Sequence, residues 1–219
     1  MRRLFSATLQ FDLTALLPRR DSFAISLSGT PVGWQRGVFE HTADGFRYTE
    51  DTQLAGVVDQ STVLEMDRSA RMRSLKQTGK VQGEAVTIDV SYAGGRAKGS
   101  ARTPDPKTGL LKSVTIDTIL AEGTIDDNAI VALLPALRWM PGARWTMNVL
   151  SAGQAEIKPW TLSVAGTDSV NVGGQPAEAY RSELSGGDTP LVLWVSTGTP
   201  HRLLKLVVAG QPLQLLRVP

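Results

Sequence analysis

The sequence predicts a mainly β protein. Its expected form is a strongly curved antiparallel sheet, a half-barrel or open barrel of about a dozen strands, with one short helix near 126–137. Three observations predict this. Apolar and polar residues alternate at a period of two along most of the chain. Glycine-bearing turns recur at hairpin spacing. Only one stretch has a helical period. The 219 residues, 42% hydrophobic and 20% charged, suffice for one sizeable core. A dozen antiparallel strands in one sheet tend to curl or close. We therefore read residues 21–219 as a single β-rich domain, preceded by an extension over 1–20.

The elements follow in order. In 22-SFAISLSG-29, Phe23, Ile25 and Leu27 share a face, and 32-VGWQRGVFEH-41 answers across a Thr-Pro turn. Asp44-Gly45 then turns into 46-FRYTEDTQL-54. Strands 61–67, 71–79 and 85–92 continue the series, and in the last Val86, Ile88 and Val90 alternate with Thr87, Asp89 and Ser91. The helix is expected in 124-TIDDNAIVALLPALRW-139, where Ile130, Leu133, Leu134 and Leu137 form one stripe. Thr124 and Asp127 have capping-box spacing, and Pro135 is expected to end the helix. Strands resume at 143–151, 156–166, 177–185, 190–197, 202–210 and 212–218.

Three stretches together resemble an uncharacterised group of bacterial secreted domains of unknown function. They are 29-GTPVGWQRGVFEHTADGFRY-48, 126-DDNAIVALLPAL-137 and 190-PLVLWVSTGTPHRLLKL-206. The layout is similar to the LolA and LppX lipoprotein-carrier class of bent β half-barrels. The resemblance implies a periplasmic setting and an apolar ligand in the concave face. It carries over no catalytic residue. Phe23, Ile25, Val86, Ile88 and Val90 are the expected lining of such a cavity.

Chemistry is sparse. With no cysteine, thiolate catalysis, disulfides and cysteine-ligated metals are excluded. The stretch 94-GGRAKGS-100 has two glycines at phosphate-loop separation, but Ser100 stands where the lysine belongs. Pro104 and Pro106 follow where a helix must start. It reads as a hairpin turn. The two histidines, His41 and His201, have no metal- or triad-like partner motif, and no nucleophile elbow occurs. Asp126 and Asp127 are explained by the helix start. We expect no catalytic residue, no metal and no cofactor; an uncharacterised hydrolase is the remote alternative.

The surface signals are three. Between Arg68 and Lys112 stand ten basic and three acidic residues, a local excess of about +7 against +2 for the whole chain. Arg71, Arg73, Lys76, Lys80, Arg96, Lys98, Arg102 and Lys107 are expected on one outer face, toward an anionic membrane surface or an acidic protein. Scarce aromatics there argue against nucleic acid. Trp139 and Trp145, flanking the turn after the helix, are expected at a partner-facing edge or cavity mouth. Arg2, Arg3, Leu4 and Phe5 head an N-terminal arm too short and polar to span a bilayer.

These features point to a non-enzymatic binding or scaffold protein, periplasmic or membrane-peripheral, docking on other subunits of a membrane complex. A photosynthetic reaction-centre and light-harvesting assembly is one host that fits. The alternative is a carrier of a lipid or other apolar ligand.

Overall fold

A computed structural model describes residues 7–8, 11–105 and 107–219. Among the described residues sixteen strands form one sheet. They are β1 (Ala7–Thr8), β2 (Arg19–Leu27), β3 (Thr30–Thr42), β4 (Gly45–Leu54), β5 (Val58–Asp67), β6 (Met72–Val81), β7 (Glu84–Ala93) and β8 (Arg96–Pro104). Then come β9 (Leu111–Ile119), β10 (Ile125–Asp126), β11 (Arg144–Ser151), β12 (Glu156–Val172) and β13 (Gln175–Ser185). The last three are β14 (Leu191–Ser196), β15 (Leu203–Val208) and β16 (Leu213–Arg217). The order across the sheet is β1-β11-β12-β13-β14-β15-β16-β2-β3-β4-β5-β6-β7-β8-β9, with β10 beside β11. All pairs are antiparallel except β1 and β10 on β11.

Two runs of consecutive hairpins, β2–β9 and β11–β16, therefore meet where β16 pairs with β2, Leu215 opposite Ile25. The sheet curves strongly but does not close, because β9 and β11 are not paired. The gap is spanned instead. A turn at Ala152–Gln154 packs on β7, β8 and β9, and the Thr103 hydroxyl on β8 donates to the Gly153 carbonyl at 2.9 Å.

The chain between β9 and β11 crosses this open side and carries the helix. It is a 3₁₀ turn at Asp127–Ala129, one α turn, α1 (Ile130–Leu133), and a 3₁₀ turn at Leu134–Ala136. Pro135 stands in the last turn, where its missing N–H forbids continued α structure. The cap is Asp126 rather than the expected Thr124: its carboxylate accepts from the Asn128 amide at 2.9 Å, while the Thr124 hydroxyl bonds back to Ala121. The sequence reading places one apolar stripe against the sheet. Instead Ala129, Ile130, Ala132, Leu133, Leu134, Ala136 and Leu137 are all buried. A segment apolar on every side belongs inside, and this one fills the concavity as a plug.

Burial alternates along the strands as the period of two requires: in β7, Val86, Ile88 and Val90 are inside and Thr87, Asp89 and Ser91 outside. One continuous cluster joins the inward residues of the strands to the plug. A second, small cluster lies elsewhere: Val170, Ala179 and Leu204, with Trp194 and Leu216 packed on it. The long β12–β13 hairpin reaches it past a register shift between Val164 and Gly166.

Two regions differ from the sequence reading. No strand was expected between Tyr92 and the helix, yet β8 and β9 continue the sheet. The boundary drawn at residue 20 falls inside β2; Leu16 is fully buried and Arg19 is already a core side chain.

Candidate functional site

The interior is filled. Phe23, Ile25, Val86, Ile88 and Val90, expected to line a cavity, are 5% exposed or less and face inward. The gap between plug and sheet, bounded by Phe11, Ile130, Leu134, Met147 and Leu184, measures ≈ 10 Å³, room for about one water. The plug occupies the space that the half-barrel reading assigned to a ligand.

The outer face of β5–β9 carries the basic residues where the sequence put them, interleaved with acids. Arg73, Lys76, Lys80, Lys98 and Arg102 are exposed, as is Arg71 before β6, while Arg96 is half-buried. Register sets acids among them. Asp89 lies opposite Lys76, and Asp117 opposite Lys98. Arg96 pairs with Asp117, Arg102 with Glu84 at 3.9 Å, and Arg71 with Glu122 at 3.7 Å. Asp59 and Glu65 join from β5. Acids on flanking segments reduce the local excess without cancelling it, an arrangement that stabilises cross-strand pairs and protects strand surfaces. Lys107 sits apart, at the seam, in a cleft of ≈ 410 Å³ with Lys112, Lys158, Asp105, Glu156 and Asp188.

Trp139 and Trp145 do not stand at an exposed edge; they are 5% and 7% exposed. The reason is the plug: Trp139 follows it inward and its indole N–H donates to the Leu134 carbonyl at 2.8 Å. The two rings meet edge to face at 5.9 Å, Trp139 stacks on Tyr180 at 6.2 Å, and Tyr180 meets His201 edge-on at 6.0 Å. This aromatic row ends at the surface. There a groove of ≈ 480 Å³ is bounded by Asp12, Thr14, Leu17, Pro135, Leu137, Arg138, Trp139, Pro200 and His201, among others. Leu17 on its wall is 45% exposed. Asp12 holds its wall in shape by accepting from the Thr14 amide and hydroxyl, and those bonds lower its pKa. Trp139 thus reaches a mouth from beneath, as half of the expectation ran. Arg2, Arg3, Leu4 and Phe5 lie outside the described residues. Next to them in sequence, Ala7–Thr8 pairs with Trp145–Thr146, and residues 12–17 wall the groove.

Polar groups that sequence reasoning missed cluster at the plug. Arg19 and Asp21 alternate on the inner face of β2. Arg19 Nε contacts Asp21 Oδ2 at 3.0 Å and its Nη2 donates to the Ala132 carbonyl of the plug at 2.7 Å. Arg217 Nη1 reaches Asp21 Oδ1 at 2.6 Å, and Arg202 Nη1 lies 3.8 Å from the same oxygen. The ring of Phe39 covers Arg19 at 4.5 Å. Desolvation lowers the Arg19 pKa against the pull of Asp21. The only local signal was Arg-x-Asp at strand spacing. At the other end of the plug, Asp126 accepts from the Tyr92 hydroxyl at 2.5 Å and Asn128 bridges Asp126 and Asp127. Burial raises both carboxyls, and Asp126 beside it raises Asp127 further.

His41 and His201 each hold a backbone carbonyl, Leu16 at 2.6 Å and Ser196 at 2.8 Å. No group of three or more His, Asp or Glu side chains among the described residues is placed to hold a metal.

Fold and site together define a β-barrel-like domain with a plugged lumen and surface grooves. The chain belongs to the DUF3108 family, a protein family of unknown function whose profile matches residues 22–212. It is similar to a beta-barrel-like protein of the DUF1849 domain of unknown function from Brucella abortus, seen in a crystal structure. That likeness has a TM-score of 0.53 at 12% identity, over 93% of this chain and 95% of the other. At that identity the likeness concerns the fold alone. No curated protein matches the chain.

Proposed function

We propose that this chain is a non-catalytic binding domain that docks on a protein partner through the groove at Leu17, Trp139 and His201. The partner is a subunit of a membrane-associated assembly, met on the periplasmic side. One observation carries the reading. A groove of ≈ 480 Å³ combines an exposed apolar wall with a rigid aromatic floor, while the gap between plug and sheet is only ≈ 10 Å³. Partner hot spots favour rigid aromatics in desolvated pockets with a polar rim, here Asp12 and Arg138. The half-barrel carrier reading needs volume between plug and sheet, where the gap is ≈ 10 Å³, and part of the basic outer face is already paired with acids.

The test is site-specific photo-crosslinking in the native host, with the reactive residue at Leu17 or Thr14 and a control at Lys80. A discrete adduct at the groove, absent at Lys80 and reduced by Pro200→Asp, is expected. Equal labelling at all three positions sinks the docking reading. An acyl compound released by denaturing the natively purified protein would favour the carrier instead.

A further inference from the structure

We propose that the arginine cluster formed by Arg19, Arg202 and Arg217 is a binding site for an oxyanion, the phosphate or carboxylate head of a ligand. This stands independently of the groove. Three guanidinium groups surround one carboxylate, Asp21, leaving an excess of two positive charges. Two of their N–H groups have no acceptor among the described residues, Arg19 Nη1 and Arg202 Nη1, and both atoms are buried. The Arg19 side chain is 3% exposed.

A fold held together by this cluster alone would need only one or two arginines. Arg217 already satisfies one oxygen of Asp21 and Arg19 the other. Arg202, at 3.8 Å, adds charge without a hydrogen bond. Buried donors without acceptors are costly, and a third guanidinium repels the other two. An oxyanion removes both costs. The planar guanidinium fork matches its geometry, and such charge-assisted bonds are about twice as strong as neutral ones. The site is also preorganised. Phe39 fixes one face of Arg19 and the Ala132 carbonyl fixes its Nη2. Access comes from the side of Arg202 and Arg217, whose side chains are 26% and 20% exposed. The other ionisable group close by, Tyr48, is committed: its hydroxyl donates to Glu50 at 2.8 Å.

The experiment follows thermal unfolding of the full chain by circular dichroism, titrating sodium phosphate, acetate or chloride at matched ionic strength. Phosphate or acetate is expected to raise the midpoint saturably while chloride does not. Arg202→Gln is expected to weaken half-saturation by roughly tenfold or more, the loss of one or two hydrogen bonds to a charged group. Arg202→Lys, keeping charge without the fork, is the second variant should Arg202→Gln unfold, and is also expected to bind more weakly. Flotation with phosphatidylglycerol vesicles separates the sources. Vesicle binding lost in Arg202→Gln assigns a lipid head group; a phosphate effect without vesicle binding assigns a soluble ligand. Equal effects of chloride and phosphate, or unchanged half-saturation in both variants, overturn the proposal.

Discussion

Replacing Asp21 by Asn tests how the plug is held. The carboxylate bonds Arg19 at 3.0 Å and Arg217 at 2.6 Å, and its side chain is 9% exposed. The substitution keeps the shape and removes the one negative charge among three guanidinium groups. Breaking a buried ion pair from one side costs about 3–5 kcal/mol, because the partner charge stays behind. Arg202 and Arg217 are partly exposed, so water takes up some of the repulsion and the low end, about 3 kcal/mol, is expected. For a chain of this size that corresponds to a fall in unfolding temperature of roughly 6–12 °C. The assay is urea and thermal unfolding by circular dichroism. Removing Arg202 as well, in Asp21→Asn with Arg202→Gln, relieves part of the repulsion. The pair should therefore be more stable than Asp21→Asn alone, a coupling of about 0.5–3 kcal/mol. A loss below about 1 kcal/mol for Asp21→Asn, or strict additivity of the two changes, would show the cluster to be solvated and refute the reasoning.

Two further expectations concern the other end of the plug and the sheet. Asp127 has its carboxyl raised above 3.8 by burial and by Asp126, so the folded chain holds a proton that the unfolded chain releases. That stability is present below the unfolded carboxylate range and is lost as pH rises through the folded value. Asp127→Asn should flatten the decline of the urea midpoint as pH rises above the ordinary carboxylate range; an unchanged slope refutes the assignment. In the sheet, a Cβ at Gly99 would meet the Asp89 carbonyl oxygen at 1.9 Å, whereas one at Gly94 meets nothing within 4 Å. Gly99→Ala should cost at least about 2 kcal/mol by forcing β7 and β8 apart. Gly94→Ala costs only the left-handed turn strain, about 1–2 kcal/mol. Equal midpoints for wild type and Gly99→Ala would contradict the close strand approach.

Much of the fold was legible because strands such as β2, β5 and β7 bury side chains at every second position. β8 and β9 escaped for a physical reason. The inward positions of β8 are Ala97, Gly99 and Ala101, and β9 buries only Ile116. At Gly99 the β7 backbone leaves no room for a Cβ, and small residues carry no apolar signal. The helix was visible, but its destination was not: a stripe at i, i+3, i+4 and i+7 does not reveal that the alanines between are buried too. Hence Trp139 and Trp145 read as surface. Strand register also brings acids from outside the counted stretch, Asp117 opposite Lys98 among them, which no local count shows. The arginine cluster joins residues about 200 positions apart, Arg19 to Arg217, which no local pattern encodes.

The meeting of β16 with β2 has a consequence for how the molecule comes into being. Each run of hairpins pairs sequence neighbours and can form as soon as it leaves the ribosome. The line that unites them cannot. It joins Phe23 to Arg217, so nearly the whole chain must exist before the central hydrogen bonds of the sheet are made. Until then β2 presents an unpaired edge and the plug has only half its walls. Such long-range closure is slow and leaves a half-sheet exposed to wrong partners. The β2–β16 pairing is therefore the expected slow step of folding.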